Sequence, residues 1–266
     1  NISIDGCTIL DSTDCKTSVG SLIGLLSGTT SGDKTIAISD VTIGATSAIT
    51  LQGFQVGGLI GTTDKQEAGS ITLNIGTTEK SVTIGHAPND DEGTPVSISA
   101  NGRSTPSLSG LIGVTDNTPK ITIQNLVLSG ITVEKETVGK ATVGTAGYNS
   151  LILAQNSGTD IFLTLKNAEI ISCELKKQDD AATGFLLGGT PAEKATTFNG
   201  FNILLKKCKT DASGIFAGTI AGTGSSMNLV AVSVVDGTGG TKDFFSGNGY
   251  VIRSDYTGAQ TYQLTG

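Results

Sequence analysis

The chain has 266 residues and a net charge of −7, with 17 basic against 24 acidic residues. Only Arg103 and Arg253 are arginines, so the composition argues against a groove for a phosphate backbone and no nucleic-acid partner is expected. No apolar run reaches the roughly 18 residues that a membrane span requires. Glycine is abundant at 37 residues, tryptophan is absent and charged residues make up only 15%, which predicts an all-β chain.

An alternation of apolar and small polar residues recurs along the chain and predicts β-strands, because period two places alternate side chains on one face. The clearest copies begin at Ile2, Ile36 and Ile121. Weaker copies begin at Ile71, Leu163, Thr196 and Met227. The starts are 31 to 50 residues apart, which indicates one structural repeat with loops of variable length.

A second motif, a small residue followed by an aliphatic run and usually another glycine, lies between successive alternating segments. Its copies begin at Ser21, Gly58, Gly110, Ser150, Gly184 and Gly214, with a weaker one near Gly249. From each of the first six copies to the next alternating segment the distance is 11 to 15 residues. This regularity predicts a single-stranded parallel β-helix of about seven rungs spanning residues 1–266, right-handed by the usual rule for parallel crossovers.

Stacking the repeats also predicts which residues meet in the interior and which parts of the chain project. The alternation places one inward residue of each repeat in a single column, namely Ile4, Ile38, Leu73, Ile123, Leu165 and Phe198. The extra length of the third and fourth repeats predicts long loop insertions near residues 76–107 and 131–149. Because variable loops on a rigid scaffold are the usual place for binding, these insertions are the candidate binding loops.

The segments around Gly58-Leu59-Ile60-Gly61 and Gly110-Leu111-Ile112-Gly113, each followed by an alternating strand, resemble the GLUG motif of glycine, leucine, bulky aliphatic and glycine. GLUG repeats occur in large bacterial surface proteins, including adhesin-like chains, outside any catalytic unit. The resemblance implies a β-helical stalk at a cell surface. A more distant likeness is to autotransporter passenger domains and chlamydial polymorphic membrane proteins.

Candidate chemical groups are few. The acidic run Asp90, Asp91 and Glu92 lies near His86, the only histidine, and is a weak candidate for a Ca²⁺ site, since that ion takes six to eight oxygen ligands; the alternative is a solvated loop. No zinc, serine-hydrolase or metalloprotease motif is present in the sequence. We therefore predict no enzymatic activity and no cofactor, with a polysaccharide lyase or hydrolase, or a carbohydrate-binding module, as the alternative.

Four cysteines allow two disulfides. Cys173 and Cys208 are 35 residues apart, close to one repeat, so neighbouring rungs place them within bonding distance if their registers match. Cys7 and Cys15 flank a short turn-rich segment and are a second candidate pair. The alternative for each pair is a set of buried free thiols that pack as small apolar residues.

The composition and both ends of the sequence favour a structural role outside the cell. A polar surface rich in Thr, Ser and Gly with little charge is typical of secreted or cell-surface proteins. Strand-like sequence begins at Ile2 and continues to Leu264, so we expect uncapped rungs, either as a piece of a longer stalk or as subunits that stack end to end. The predicted function is that of an extracellular structural or adhesive protein that binds a host protein or glycan, with a self-assembling filament subunit as the alternative.

Overall fold

The computed structural model describes residues 1–11, 17–27, 32–64, 69–86, 95–100, 106–134, 147–176, 182–190, 194–210, 217–220, 222, 224–235 and 261–265. All regular structure in these ranges is β-strand. Within them, accordingly, no helix is long and apolar enough to cross a membrane.

The strands follow one another along the chain with short connections. They are β1 (Ile2–Ile4), β2 (Thr8–Leu10), β3 (Ser18–Gly20), β4 (Ile23–Leu26), β5 (Lys34–Ile38), β6 (Val41–Ile43), β7 (Ile49–Gly53), β8 (Gln55–Gly57), β9 (Ile60–Thr63), β10 (Ile71–Ile75), β11 (Val82–Ile84), β12 (Val96–Ala100), β13 (Ser107–Ser109), β14 (Ile112–Thr115), β15 (Lys120–Ser129), β16 (Ile131–Glu134), β17 (Tyr148–Ser150), β18 (Leu153–Asn156), β19 (Ile161–Ile171), β20 (Glu174–Leu175), β21 (Ala182–Thr183), β22 (Leu187–Thr190), β23 (Thr196–Lys206), β24 (Lys209–Thr210), β25 (Ala217–Ile220), β26 (Ser226–Val235) and β27 (Thr261–Thr265).

Strands from distant parts of the chain lie side by side in four parallel sheets. Sheet A has the order β1-β6-β11-β15-β19-β23-β26-β27, with β10 pairing with both β5 and β15; sheet B has β2-β7-β12-β16-β20-β24; sheet C has β21-β17-β13-β8-β3; and sheet D has β25-β22-β18-β14-β9-β4. From β1 to β22 the chain passes through sheets A, B, C and D in turn and then returns to sheet A beside its previous strand; after β23 and β24 the next described strand is β25 of sheet D. We call each such passage a level. This repeated path with parallel pairing is consistent with a parallel β-helix or solenoid, as the sequence predicted.

The core is built from inward residues that stack in register from level to level. In sheet A one column contains Ile36, Leu73, Ile121, Leu163, Phe198 and Met227, and a second contains Ile38, Ile75, Ile123, Leu165, Gly200 and Leu229. Leu73, Ile123 and Leu165 are completely buried. Parallel strands satisfy each other's backbone groups while their alternate side chains form one continuous apolar interior.

The stacking register differs from the one predicted for the interior column. Leu73 pairs with Ile36, whereas Ile38 pairs with Ile75, so Leu73 and Ile38 belong to two adjacent columns. Ile4 pairs with Ile43, in a third column on the other half of sheet A. The proposed single column was therefore wrong in register, although each of its members does contribute to the apolar core. A slip of two residues along a strand leaves every side chain on its original face, which explains why the inward direction was still correct.

The second motif forms the corner between sheets C and D, and its glycines stand where backbones approach closely. A Cβ on Gly57 would lie 1.9 Å from the carbonyl oxygen of Ile60, and one on Gly58 would lie 2.0 Å from that of Gly110. In the fourth level Ser150 stacks on Ser109, so Leu151 occupies the position of Gly110. The sequence comparison, which equated Ser150 with Gly110, was displaced by one residue.

The two stretches predicted to project as loops contain strands. Residues 76–107 include β11 and β12, and residues 131–149 include β16. Residues 87–94, 101–105 and 135–146, which carry most of the extra length, lie outside the described residues.

Candidate functional site

A column of asparagines lies near the middle of three long strands of sheet A, β15, β19 and β23. Asn125, Asn167 and Asn202 have φ angles of 51°, 52° and 54°, in the left-handed region. Each directly precedes a residue of one inward column, because Leu126 pairs with Ala168 and Ala168 with Ile203. Asparagine tolerates this backbone conformation better than other residues with side chains, apart from aspartate. We call these three residues the amide ladder.

Hydrogen bonds link the amide ladder along the stack. The Asn202 Nδ2 donates to Asn167 Oδ1 at 2.9 Å, and the Asn125 Nδ2 donates to the carbonyl oxygen of Thr77 at 2.6 Å. Asn167 and Asn202 are exposed and Asn125 is half-buried. The ladder therefore presents amide groups to solvent at positions that the stack fixes.

The amide ladder lies in a surface groove of about 290 Å³. The lining residues are Ser81, Asn125, Leu126, Val127, Asn167, Ala168, Glu169, Asn202 and Leu204. Val127, Glu169 and Leu204 stack on one another in register and form one side of the groove. The groove thus combines amides, an apolar wall and a carboxylate.

A cation–π pair stands beside the ladder. The Lys166 ammonium lies 5.7 Å from the centroid of the Phe201 ring, and these two residues directly precede Asn167 and Asn202 in the chain. Such a contact favours a fixed position for a long lysine side chain. One half-buried aromatic ring and one ammonium group accordingly accompany the amides on this face.

Comparison of the chain with protein-family models, with curated proteins and with solved structures found no match in any of the three. The function proposed for the chain therefore rests on the chemistry of the described residues.

Several carboxylates elsewhere in the stack bind the backbone of the next level. Asp5 accepts from the amide N–H of Thr46 at 3.0 Å, Asp33 from that of Ser70 at 2.9 Å and Asp160 from that of Ala195 at 2.9 Å. Lys176 forms an ion pair with Glu134 of the preceding level. Charge-assisted hydrogen bonds of this kind hold neighbouring levels in register, so these acidic residues have an architectural role.

The candidate Ca²⁺ ligands Asp90, Asp91 and Glu92 lie outside the described residues, and that site stays a prediction. His86 is described and half-buried. Within the described ranges no group of three or more His, Cys, Asp or Glu side chains is arranged to hold a metal ion.

The structure brings Cys173 and Cys208 together on neighbouring levels, as their spacing predicted, and both are free thiols. The Cys173 Sγ donates to the carbonyl oxygen of Ile171 at 3.4 Å, and the Cys208 Sγ to that of Ile170 at 3.2 Å. Burial raises the pKa of Cys208 to about 12. Cys7 is also a free thiol among the described residues. Because Cys15 lies outside them, the Cys7–Cys15 pairing stays a prediction.

The sequence contained a signal for the amide ladder that residue-by-residue reasoning missed. The alternating segments that begin at Ile121, Leu163 and Thr196 are interrupted by Asn125, Asn167 and Asn202. Asp40 interrupts the second segment in the same way. Asp40 also has a positive φ, of 60°. A polar residue that breaks a period-two pattern at the same place in several repeats indicates a left-handed bend, because Asn and Asp are the usual residues there.

Proposed function

We propose that the chain is an extracellular structural or adhesive protein, in which a single right-handed parallel β-helix of about seven rungs acts as a rigid spacer and presents loops for binding. The ligand is a host protein or a glycan. The candidate binding segments lie within the two long insertions predicted near residues 76–107 and 131–149.

The observation that carries the proposal is the in-register stacking of equivalent positions from one level to the next. Strand β15 pairs with β19, and β19 with β23, over nearly their whole lengths. Each level adds about 4.8 Å to such a stack. A chain built this way has a defined length and one stiff axis, which suits a spacer.

The outward residues support the same role. One outward column of sheet A contains Ala37, Asn74, Thr122, Thr164, Asn199 and Asn228. These are small or neutral polar side chains, and the carboxylates of Asp5, Asp33 and Asp160 bind the backbone of the following level. Residues of these types favour solubility and stacking over acid–base chemistry.

Binding arrays with loop variants test the adhesive role. The purified chain is applied to arrays of host proteins and glycans, together with variants in which residues 87–94 or 135–146 are replaced by a glycine-serine linker of equal length. We expect the wild type to bind at least one array member and one loop variant to lose that binding. The control replaces residues 65–68, outside the two long insertions, and should bind like the wild type. If the wild-type chain binds no member of either array, the adhesive proposal is overturned.

A second candidate function, a filament subunit that stacks end to end, is favoured by the apolar end of the stack at β1 and β2. Ile2 is 44% exposed, although its partner Val41 in the same column is only 2% exposed. Leu10 at the end of β2 is 58% exposed. Both strands pair on one side alone within the described residues, and an open strand edge with apolar side chains is a template for another strand.

Light scattering and negative-stain microscopy of the purified chain test the filament. We expect particle mass to rise with concentration, and we expect Ile2→Lys with Leu10→Lys to keep the chain monomeric because charge on an edge opposes pairing. The matched control is Phe162→Lys with Val235→Lys, which adds the same two charges at exposed apolar residues of sheet A. A wild type that stays monomeric at all concentrations would rule out the filament.

A further inference from the structure

We propose that the groove along the amide ladder binds an extended, uncharged oligosaccharide. This proposal adds a binding site to the proposed adhesive function. It rests on that function only in taking a saccharide as the class of ligand. It places recognition on the strands of sheet A rather than in the long insertions, from which Ser81 alone of the described residues lines the groove.

The ladder supplies hydrogen-bonding groups in the mixture that sugar hydroxyls require. Each asparagine side chain carries two N–H donors and a carbonyl acceptor, and sugar hydroxyls are both donors and acceptors. The bond between Asn202 and Asn167 uses one donor and one acceptor of the pair. The remaining amide atoms of these exposed residues face a groove in which a ligand hydroxyl can replace water.

The spacing of the ladder suits a polymer with a short repeat. Neighbouring strands in a sheet are about 4.8 Å apart, and Asn125, Asn167 and Asn202 stand on three successive levels. An extended chain of hexoses advances by a similar distance per sugar. A saccharide lying along the stack therefore meets the exposed amides of Asn167 and Asn202 with successive units, next to the half-buried Asn125.

The wall of the groove supplies the apolar contact that sugars also make. Val127 and Leu204 are partly exposed and line the groove. The C–H face of a pyranose ring packs on aliphatic side chains of this kind, while its hydroxyls point toward polar groups. The pattern of amides on one side and aliphatic side chains on the other matches the two kinds of surface on a sugar ring.

The charge of the groove selects against acidic saccharides. Glu169 is exposed and is the one charged residue among the described residues that line the groove, between Val127 and Leu204. The Lys166 ammonium lies over the Phe201 ring, outside that lining, and the whole chain has a net charge of −7. A carboxylate accepts strong hydrogen bonds from neutral hydroxyls but repels carboxylate or sulfate groups of a ligand. We therefore assign the site to neutral hexose chains.

Calorimetric titration of the intact chain with hexasaccharides of glucose, mannose and galactose tests the site. The variants Asn167→Gly and Asn202→Gly remove the side-chain amide. They preserve the backbone conformation, because glycine adopts positive φ freely. We expect each variant to bind the saccharide about fivefold to tenfold more weakly, as the loss of about one net hydrogen bond requires. The matched control is Asn117→Gly, another asparagine with positive φ, 48°, which does not line the groove; it should bind like the wild type.

The outcomes separate this site from the adhesive proposal. If the wild type binds a hexasaccharide and the two ladder variants bind it equally well, the groove is not the site, and the adhesive proposal still stands on the loops. If the wild type binds none of the three saccharides, the groove proposal fails, while protein binding on the arrays still tests the adhesive role. Should a ladder variant fail to fold, the side-chain amide resonances of Asn167 and Asn202 in the labelled wild type must shift during titration for the proposal to survive.

Discussion

Cys173 and Cys208 stand on neighbouring levels of sheet B, where the amide N–H of Lys209 donates to the carbonyl oxygen of Cys173 at 2.9 Å. Both thiols are buried. Burial raises the pKa of Cys173 well above its ordinary value, and the neighbouring Cys208 raises it further. The pair is thus held as neutral thiols inside the stack, which has consequences for stability and for reactivity.

The first prediction concerns stability at high pH. The pKa of Cys208 rises from 9.0 to about 12 on folding because of burial, so the native state keeps its proton where the unfolded chain loses it. The free energy of unfolding should therefore fall as pH rises from about 9 toward 12, by an amount on the order of a few kcal/mol. Urea unfolding across this range measures the effect. The Cys173→Ala, Cys208→Ala double variant should show a smaller decline, and an equal decline in both proteins would contradict the assignment.

The second prediction concerns alkylation by iodoacetamide at neutral pH. The thiolate is the reactive form. Cys173 and Cys208 are buried and have raised pKa values, so they should stay unmodified in the native protein. The half-buried Cys7 should react faster. Peptide mass spectrometry reports each site separately. After unfolding without a reductant both buried residues should become alkylated, and finding them joined by a disulfide would be the contrary result.

The strands and their inward faces could be predicted from the sequence, but their stacking register could not. Alternation of apolar and polar residues follows directly from the pleat of a strand, so Leu73 and Leu165 were correctly assigned to the interior. The same periodicity is unchanged by a slip of two residues, and nothing in the pattern distinguishes Ile36 from Ile38 as the neighbour of Leu73. Contacts between levels, such as the hydrogen bond that the Ser70 amide N–H donates to the Asp33 carboxylate, fix the register, and they depend on residues far apart in sequence.

The groove was harder to predict than the core because it belongs to no single segment. Asn125, Asn167 and Asn202 are isolated in the sequence, and only the stacking of β15, β19 and β23 makes them neighbours. Asp90, Asp91 and Glu92, by contrast, are consecutive in the sequence. Clusters along the chain are visible in a sequence, whereas clusters across levels require the register that the alternation leaves open.

The third prediction tests the interior column of sheet A. Leu163 is completely buried, with Ile121 and Phe198 as its partners on the neighbouring levels. Leu163→Ala should lower the free energy of unfolding by about 2–5 kcal/mol, through lost burial and the cavity that remains. Thr164→Ala, an outward position on the same strand, should change it by about 0.5 kcal/mol or less. Urea denaturation of both variants gives the comparison, and similar losses for the two would show that the faces of β19 are assigned wrongly.

The fourth prediction tests the corner between sheets C and D. A Cβ added at Gly57 would lie 1.9 Å from the carbonyl oxygen of Ile60 and 2.7 Å from the amide nitrogen of Gly113. Both are backbone atoms of the stack, so Gly57→Ala must displace strands on two levels and should cost about 1–3 kcal/mol or more. Ser109 occupies the same position one level on. Because it already carries a Cβ, Ser109→Ala should lose only the hydrogen bonds that its hydroxyl accepts from the Leu111 amide and the Ser150 hydroxyl, about 1 kcal/mol for each. Thermal and urea unfolding distinguish the two variants. If Gly57→Ala is the more stable of the pair, the close approach of backbones at this corner is not what requires glycine there.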